Sequence, residues 1–335
     1  MENKRVRICD IAEELGLSTA TVSNVIHGKT KKVSEETIRR VQALLEQRKY
    51  IPSMAGILLA QNNSRIIGII INNHEKYEGC VLEDVFIASS LNYLSAEIEK
   101  AEQFMMVKVT NMPEEIVRFA SMWNLDGMVL IGFCEQDYRK LREFMHIPFV
   151  IYDGFLDSTE GMCNLVIDNY DGGLQVGQHF KKKGYRKALC IADNEICMDL
   201  ERLQGFQKGF GEGADFLKIP MHRGERRAFY ARSLERIREY RAVFAVSDYY
   251  AVDLMQFLME KEIRIPEDMA VAGFDDNPIC MQLAPTLTSV RQDGQMRAQI
   301  AIAKIRELKE GTEKGTTIKL PVHLVERAST QTKRK

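Results

Sequence analysis

The chain has 335 residues, of which 45% are hydrophobic and 28% are charged. This length exceeds one typical core, so two or three domains are expected, and the composition is that of an ordinary globular protein rather than a disordered one. The net charge of −1 gives no support for nucleic-acid binding by the chain as a whole. The distribution of charge does support such binding. Residues 1–65 hold 11 basic and 7 acidic side chains, whereas the remaining residues hold 35 basic and 40 acidic side chains. A basic head on an acidic body is typical of a nucleic-acid-binding module joined to a second domain.

Motifs for several other classes of protein are missing. The seven cysteines are irregularly spaced without a CxxC pair, so neither a disulfide framework nor a zinc site is predicted. The N-terminal MENKRVRICDIAEEL has no apolar region of a secretory signal, and the longest apolar runs are too short to span a bilayer. No HExxH, Walker-type loop or GxSxG occurs, and the GxGxG string at 209–213 follows a helical pattern rather than a strand. We expect a cytoplasmic protein with no metal, no cofactor and no catalytic activity.

The first fifty residues predict three short helices. Apolar residues recur at helical spacing over 8–15, and Gly16 ends that helix. Ser18 is a favourable N-cap for a second helix over 19–26, and Ser34 for a third. The tight turn at Gly16 is typical of a helix-turn-helix, in which the second helix enters the major groove of DNA. A generic small helical bundle is the alternative that this pattern leaves open.

From residue 66 the pattern changes to short apolar runs separated by amphipathic segments. The predicted strands are Ile66–Ile71, Met105–Val109, Gly127–Ile131, Phe149–Tyr152, Leu165–Ile167, Ala188–Ala192, Ala242–Val246 and Met269–Ala272. Continuously apolar strands that alternate with helices indicate parallel sheets covered on both faces. About ten strands are too many for one small sheet, so two doubly wound subdomains are expected.

The N-terminal segment resembles the DNA-binding head of the LacI-type (lactose-repressor) family. The resemblance lies in the D-I-A core, the G-x-S turn, the T-V-S of the recognition helix, the V-S-E-E-T before the third helix and the Y-x-P before a hinge. It implies that Thr19 and Ala20 read bases, with further contacts from the residues that follow. The implied DNA-binding residues are Ile8, Ser18, Thr19, Ala20, Thr21, Ser23, Asn24, His27, Lys31 and Leu59.

Asn24 departs from the family pattern, and the hinge segment extends the predicted DNA contact beyond the three helices. Asn24 stands where the family commonly has arginine, and asparagine pairs with adenine whereas arginine prefers guanine, so an altered operator preference is predicted. The hinge segment SMAGILLA is too short to be stable as an isolated helix, and the resemblance implies that it folds when two copies pair on DNA. Leu59 would then wedge between base pairs in the minor groove. A plain apolar linker is the alternative for this segment, and Lys31 could contact phosphate or simply be solvated.

From about Trp123 onward the chain resembles the two-lobed periplasmic sugar-binding proteins that this family uses as its sensor. The landmarks are DGMVLIG, ERLQGF, AVSDYYAVDL and IPEDMAVAGFDD, and the similarity fades over 72–84. The resemblance implies effector-binding residues at Asp153, Arg202, Ser247 and Asp275. Purely structural roles, as turn caps for the aspartates and as an ion pair for Arg202, are left open. Asp248 and Asp276 are expected to be structural caps.

The sequence therefore predicts an α/β protein with an N-terminal helix-turn-helix three-helix head and a two-lobed periplasmic-binding-protein-like body of doubly wound parallel sheets. The predicted domains are a DNA-binding head over 1–50, a hinge helix and linker over 51–64, and an effector-binding and dimerisation body over 65–335. The lobes are expected at about 65–163 with 292–320, and at 164–291 with 321–335.

The predicted function is that of a sequence-specific DNA-binding transcriptional regulator, expected to act as a repressor of sugar or related metabolite genes. Its predicted partners are pseudo-palindromic double-stranded operator DNA, a small-molecule effector such as a sugar or derivative, and a second copy of the chain in a homodimer, with no membrane. The helix predicted from Gly294 to Lys309, with Met296, Ile300 and Ala303 on one face, is the candidate dimer contact. A small-molecule binding protein with a non-functional head, and a sugar-acting enzyme, are the alternatives.

Overall fold

The structure of the protein is a computed structural model. It describes residues 6–51, 64–133, 135–154 and 161–331. Contacts divide the chain into two compact units, Met1–Ser64 and Arg65–Lys335. The predicted hinge helix, with Leu59, lies outside the described residues, so its folding on DNA stays a prediction.

The first unit is built from three helices: α1 (Ile8–Leu15), α2 (Thr19–Ile26) and α3 (Glu35–Gln47). Helix α1 ends at Gly16, whose φ of 65° is the left-handed conformation that glycine adopts without steric cost. The Ser18 side chain caps α2 by accepting a hydrogen bond from the Thr21 N–H at 3.1 Å. Ser34 caps α3 by accepting from the Thr37 N–H. The three helices and both serine caps are those that the sequence predicts.

A small apolar core holds these helices together. Its buried side chains are Ile11, Ala12, Val22, Val25, Val41 and Leu44. Each buried valine, leucine or isoleucine among them contributes roughly 1.5–3 kcal/mol. The Arg48 guanidinium pairs with Glu14 of α1 at 2.5 Å, and both side chains are about half exposed, so this ion pair adds little stability. The helices are therefore held by apolar packing, which leaves their outer faces free for other contacts.

The second unit alternates strands and helices along its whole length. Its described strands are β1 (Ile66–Ile71), β2 (Phe104–Val109), β3 (Gly127–Ile131), β4 (Phe149–Tyr152), β5 (Met162–Ile167), β6 (Ala188–Ala192), β7 (Ala214–Lys218), β8 (Ala242–Ala245), β9 (Ala270–Asp275), β10 (Thr288–Gln292), β11 (Thr316–Leu320) and β12 (Val322–Val325). Its described helices are α4 (Val85–Lys100), α5 (Pro113–Trp123), α6 (Glu135–Phe144), α7 (Asn169–Lys182), α8 (Cys197–Phe210), α9 (Arg223–Arg232), α10 (Leu234–Ile237), α11 (Asp248–Glu260) and α12 (Gly294–Glu310). Across the described ranges, every helix is too short or too polar to cross a bilayer.

Two six-stranded sheets divide this unit into two lobes. The first sheet has the order β11-β5-β4-β3-β1-β2, and all its neighbouring strands are parallel. The second has the order β12-β10-β9-β8-β6-β7 and is parallel except for β12, which runs antiparallel to β10. The chain crosses between the lobes after β5, after β10 and between β11 and β12. The predicted fold class, a two-lobed body of doubly wound sheets, is confirmed.

Two details differ from the sequence prediction. The lobe division at about 163–164 would cut through β5, whereas β5 pairs along its length with β11 and nearly so with β4 in the first sheet. The crossing therefore follows Ile167. The strands β7, β10, β11 and β12 were not predicted, and three of them, β7, β11 and β12, are sheet edges. These three edge strands carry polar residues, so they lack the continuous apolar run by which interior strands are recognised.

Helices α7 and α8 of the second lobe touch through their backbones. Each carries two glycines four residues apart: Gly173 and Gly177 in α7, Gly205 and Gly209 in α8. A Cβ atom at Gly205 would lie 1.9 Å from the Tyr170 carbonyl oxygen, and one at Gly173 would lie 2.0 Å from the Arg202 carbonyl oxygen. Only glycine allows two helices to approach so closely. This contact fixes α8, and with it the Arg202 side chain, in the second lobe.

Candidate functional site

The first candidate site is the outer face of α2. Val22 and Val25 of this helix are buried in the core of the first unit, and the helical period directs the positions between them outward. Among the predicted DNA-binding residues of this helix and its C-cap, Thr19, Ala20 and Asn24 are exposed, and Thr21, Ser23 and His27 are half-buried. Small hydroxyl, amide and methyl groups on such a face can approach the base edges of a major groove closely.

Ser18 and Thr21 have structural partners as well as a predicted contact with DNA. Their hydroxyl oxygens lie 2.8 Å apart, and Ser18 Oγ also accepts from the Thr21 N–H. A hydroxyl has two lone pairs, so each oxygen keeps acceptor capacity. These two residues therefore fix the first turn of α2 whether or not DNA is bound.

The remaining predicted DNA-binding residues lie apart from α2. Ile8 begins α1 and packs against the core of the first unit, which gives it a structural role. Lys31 is exposed in a 3-10 turn, Thr30–Lys32, that precedes α3. Leu59 lies outside the described residues.

The second candidate site lies at the carboxyl ends of strands in both lobes. Asp153 directly follows β4, Asp275 ends β9, and Ser247 lies two residues beyond β8. Ligands of open α/β sheets bind at these ends of parallel strands. Asp153 and Asp275 have φ values of 56° and 112°, a region that few residues other than glycine enter. The backbone therefore turns sharply at both aspartates.

Arg202 is the most completely held of the predicted effector-binding residues. Its side chain is 7% exposed. Its Nε donates to Asn169 Oδ1 at 2.9 Å, and its Nη1 donates to the Val246 carbonyl at 2.6 Å. The guanidinium lies over the Phe274 ring, with 3.7 Å to the centroid, and Nη1 is 3.8 Å from Asp275 Oδ1. The cation is thus fixed in position beside the carboxylate that ends β9.

A second buried arginine, Arg297 on α12, was not predicted. Its Nη2 lies 2.9 Å from Asp153 Oδ2, and its guanidinium lies over the Tyr152 ring. Its Nη1 donates to Gln292 Oε1 at 3.2 Å, and the Gln292 amide donates to Asp275 Oδ1 at 2.9 Å. Asp153 belongs to the first lobe and Asp275 to the second, so hydrogen bonds and ion pairs run unbroken between the lobes.

These side chains form what we call the interlobe polar network: Asp153, Arg297, Gln292, Asp275 and Arg202. A sequence signal for Arg297 exists, because it interrupts the otherwise apolar buried stripe of α12 formed by Ala298, Ala301 and Ile305. Burial raises the pKa of Asp275 well above its ordinary value, with neighbouring carboxylates adding to the effect and Arg202 opposing it. The network therefore holds a carboxyl group whose charge is only partly compensated.

Ser247 and Asp248 begin α11 and have partners within the second lobe. Ser247 Oγ accepts from the Tyr250 N–H at 3.5 Å. Asp248 is buried and accepts from the Ser289 hydroxyl at 2.6 Å and from the Asn277 N–H at 2.9 Å. Burial raises the pKa of Asp248 to about 6. These contacts give Asp248 the structural role expected of it, and they give Ser247 a capping role beside any contact with ligand.

Asp276 also has a structural role. Its Oδ2 lies 2.5 Å from Arg291 Nε, and its Oδ1 lies 2.6 Å from Arg327 Nη2. Arg327 belongs to the segment that follows β12. The carboxylate therefore ties the end of β9 to that segment.

The segment 72–84, where the family resemblance fades, connects the two lobes. Glu78 Oε1 accepts from the Arg223 N–H at 2.9 Å and lies 3.6 Å from His222 Nδ1, both in the second lobe. Half-buried Lys76 interacts electrostatically with Asp84 of its own lobe and Asp199 of α8. No functional residue was predicted in this segment, because a polar loop without periodicity has no signal that distinguishes it from solvated surface.

Comparisons with known proteins agree with this two-part architecture. Residues 7–53 match the bacterial regulatory proteins of the lacI family, and residues 178–330 match the periplasmic binding protein-like domain. The chain thus carries a lacI-family domain at its N-terminus and a periplasmic binding protein-like domain in its body. It is a DNA-binding transcription regulator, as the sequence predicts, and its relatives are regulators rather than enzymes.

Two relatives illustrate how far the similarity extends. The HTH-type transcriptional repressor PurR of Vibrio atlanticus (strain LGP32) is 27% identical over 344 residues, covering 97% of this chain and 98% of its own length. The HTH-type transcriptional regulator CelR of Thermobifida fusca is 25% identical over 342 residues, covering 98% and 100%. The similarity thus spans head and body together.

Solved structures agree with the fold. The lac repressor dimer bound to operator and the anti-inducer ONPF superposes with a TM-score of 0.84 at 20% identity, covering 98% of this chain and 100% of that one. A complex of the transcriptional regulator CelR with cellobiose gives a TM-score of 0.69 at 21% identity, covering 97% and 100%. At these identities the match establishes the fold.

Proposed function

We propose that this protein is a dimeric LacI-family repressor that binds pseudo-palindromic operator DNA and whose affinity is set by a sugar or related metabolite held between its lobes. The observation that carries the proposal is the interlobe polar network. It joins Asp153 in one lobe to Asp275 and Arg202 in the other at the strand ends where ligands bind. A ligand that contacts this network contacts both lobes at once.

The chemistry of the network suits a ligand rich in hydroxyl groups. Each sugar hydroxyl both donates and accepts, and the network offers carboxylate acceptors at Asp153 and Asp275 with a guanidinium donor at Arg202. The solved complex of the relative CelR with cellobiose supports a sugar. The effector-binding residues we propose are Asp153, Arg202, Ser247 and Asp275, together with Arg297 and Gln292.

Effector control requires that the ligand prefer one arrangement of the lobes. Arg297 and Gln292 hold Asp153 and Asp275 through direct contacts, and a ligand that replaces one of these contacts changes the relative free energies of the arrangements. A ligand that binds one arrangement more tightly shifts the protein toward it and so raises or lowers operator affinity. By linkage, operator DNA changes the affinity for the ligand by the same factor as the ligand changes the affinity for operator. The protein would act in the cytoplasm, without catalysis.

The dimer contact we propose lies on α12 and its neighbour α4. The buried face of α12 faces its own lobe, whereas Met296 is 42% exposed and Ile300 and Ala303 are half-buried. The ring of Tyr93 on α4 packs over Gly294 and is itself 37% exposed. Apolar side chains that stay partly exposed on adjacent helices are suited to burial against a second copy.

The proposal is tested by selecting DNA from a random duplex pool with the full-length protein and measuring binding to the selected site by gel shift. We expect the selected DNA site to be two-fold symmetric. We also expect the affinity of the protein for this site to change when a sugar that stabilises the protein is added. Leu59→Ala should weaken binding to this site, since the leucine wedge would be lost. A protein that ignores all duplexes would overturn the proposed function, and a Leu59→Ala dimer that binds as tightly as wild type would overturn the wedge.

A further inference from the structure

The segment that connects β1 to α4 is held at both ends in the first lobe. We call residues 72–84 the strap. At its start, Asn72 Nδ2 donates to the Gly132 carbonyl at 2.8 Å, and at its end Asp84 caps α4 by accepting a backbone N–H at 3.1 Å. Val81, near that end, is 3% exposed within the apolar core of the same lobe. The strap is therefore anchored to the first lobe on either side of its middle.

The middle of the strap contacts the N-terminus of α9 in the second lobe. Glu78 Oε1 accepts from the Arg223 N–H at 2.9 Å and lies 3.6 Å from His222 Nδ1. The first N–H groups of an α-helix have no acceptor within the helix. Within the described residues, the side chain of the N-cap residue His222 makes no cap hydrogen bond to α9. The cap of this helix thus comes from the other lobe, and it carries the negative charge that a helix N-terminus favours.

The backbone of the strap directs Glu78 toward α9. Glu78 has a φ of 50° and Gly79 a φ of 85°, so the chain reverses at these two residues. Residues other than glycine seldom adopt a positive φ. The Glu78 N–H donates to the Glu75 carbonyl at 2.9 Å, which closes the turn. The strap therefore holds the glutamate in place through its own backbone as well as through α9.

This contact lies on the side of the cleft opposite the chain crossings. The crossings involve β5, β10, β11 and β12, which lie at or next to one end of the two sheets. The strap follows β1 and α9 follows β7, which lie at or next to the other end. Both segments leave the carboxyl ends of parallel strands, where ligands of such sheets bind. The crossings join the lobes on one side of the cleft, and the strap joins them on the other.

We propose that Glu78 and the N-terminus of α9 form an interlobe clasp, which holds the cleft closed on the side away from the chain crossings. When the hydrogen bond between Glu78 and the Arg223 N–H breaks, the lobes separate on that side, and the effector enters or leaves there. The clasp shifts the balance between closed and open arrangements of the lobes. Its existence is a property of the body alone, whereas its effect on operator binding rests on the proposed function.

Two pairs of variants isolate this hydrogen bond. Proline is favoured at the first position of an α-helix, where it removes an N–H that the helix does not use, and the extended backbone of His222 suits the residue before a proline. Arg223→Pro removes the donor, whereas Arg223→Ala keeps it and loses the same guanidinium contacts with α11. Glu78→Ala removes the acceptor. Its control is Glu75→Gln, which removes a charge from the same turn and leaves the Glu75 carbonyl in place.

The measurement is hydrogen–deuterium exchange of the full-length protein, followed by mass spectrometry of peptides from the strap and from residues 193–199 after β6. We expect Glu78→Ala and Arg223→Pro to exchange at least about threefold faster than wild type in both regions, because a charge-assisted hydrogen bond between the lobes is lost. Arg223→Ala and Glu75→Gln should exchange as wild type does. Combining Glu78→Ala with Arg223→Pro should add nothing to either alone, because both remove the same bond.

Equal exchange of the strap in Arg223→Pro and Arg223→Ala would overturn the clasp. Faster exchange confined to α9 would also overturn it, because that result describes local fraying of the helix rather than separation of the lobes. If Arg223→Pro does not fold, the comparison of Glu78→Ala with Glu75→Gln decides by itself.

Operator binding, measured by gel shift on the same preparations, separates the clasp from the proposed function. We expect Glu78→Ala and Arg223→Pro to change the affinity for the selected DNA site in the same direction, by at least about threefold relative to their controls. Faster exchange with unchanged operator affinity would overturn the link between the clasp and regulation. A wild-type protein that ignores all duplexes contradicts the proposed function, while the exchange rates still decide whether the clasp exists.

Discussion

Helix α2 of the first unit and helix α8 of the second each carry candidate functional residues, and they differ in how those residues relate to the core. In α2 the apolar positions Val22 and Val25 hold the helix, while Thr19 and Asn24 on the other face have no part in the packing. In α8 the candidate residue Arg202 is itself buried and hydrogen-bonded on several sides. We therefore expect DNA recognition and folding to be separable in the first unit, and ligand recognition and folding to be coupled in the second.

The reason is the type of partner that each site meets. A recognition helix approaches a large external surface, so its contacts must be exposed and need only a rigid backbone behind them. A small ligand is enclosed between lobes, where charged groups are desolvated and must be paired by the protein itself. Substitutions at the candidate site should therefore affect binding alone in the first unit, and both binding and stability in the second.

The largest effect is expected where two backbones touch. Gly205→Ala in α8 places a Cβ atom 1.9 Å from the Tyr170 carbonyl oxygen, so α7 and α8 must separate, at a cost of about 3 kcal/mol or more. Gly224→Ala in α9 is the matched control, because nothing lies within 4 Å of its Cβ position. Urea unfolding should show a loss for the first variant and little change or a gain for the second. Equal stability of the two would contradict the close helix contact.

Arg202→Met should affect stability and binding together. It removes the hydrogen bonds to Asn169 and Val246 and leaves Asp275 without its cation, at a cost of about 3–5 kcal/mol for a broken buried pair. Affinity for the effector should fall at least 100-fold in calorimetry. Arg264→Met, at an exposed ion pair with Asp268, should change stability by less than about 1 kcal/mol. Effector binding by Arg202→Met with wild-type affinity would refute the coupling between folding and ligand recognition in the second unit.

A pH dependence is expected from Asp248. Burial raises its pKa from the ordinary 3.8 to about 6, so the folded protein binds this proton more tightly than the unfolded chain. Its contribution is most favourable below pH 4 and is lost as the pH rises through 6. Denaturant titrations from pH 4 to 7 should show a steeper decline for wild type than for Asp248→Asn, which lacks this titration. Parallel curves would show that the group does not titrate in this range.

The smallest effects on stability are expected in the first unit, where the neighbouring residues Ser18 and Thr19 distinguish a role in folding from a role in DNA binding. Ser18→Ala removes the cap of α2 and should cost about 1 kcal/mol. Thr19→Ala changes an exposed side chain and should alter stability by less than about 0.5 kcal/mol, yet weaken binding to the selected operator in a gel shift. Unchanged DNA binding in Thr19→Ala would argue against its predicted contact with a base.

The sequence alone determined the elements whose signals are local. The Ser18 and Ser34 caps, the left-handed Gly16 and the helical spacing of apolar residues all act within one or two turns, so the three helices of the first unit follow from short windows. Interior strands such as Ile66–Ile71 are apolar throughout because both faces are covered. The edge strand β11 has no such run, and it was recognised only from its hydrogen-bond partners.

Only the tertiary structure decided which charged groups meet. Asp153 was recognisable as a residue that follows a strand, but nothing near it in sequence indicates Arg297 as its partner or Gln292 as the bridge to Asp275. The same holds for Glu78 and Arg223, which join the lobes. An ion pair depends on how elements distant in sequence pack together, so the apolar stripe that marks Arg297 as buried does not show which carboxylate it meets.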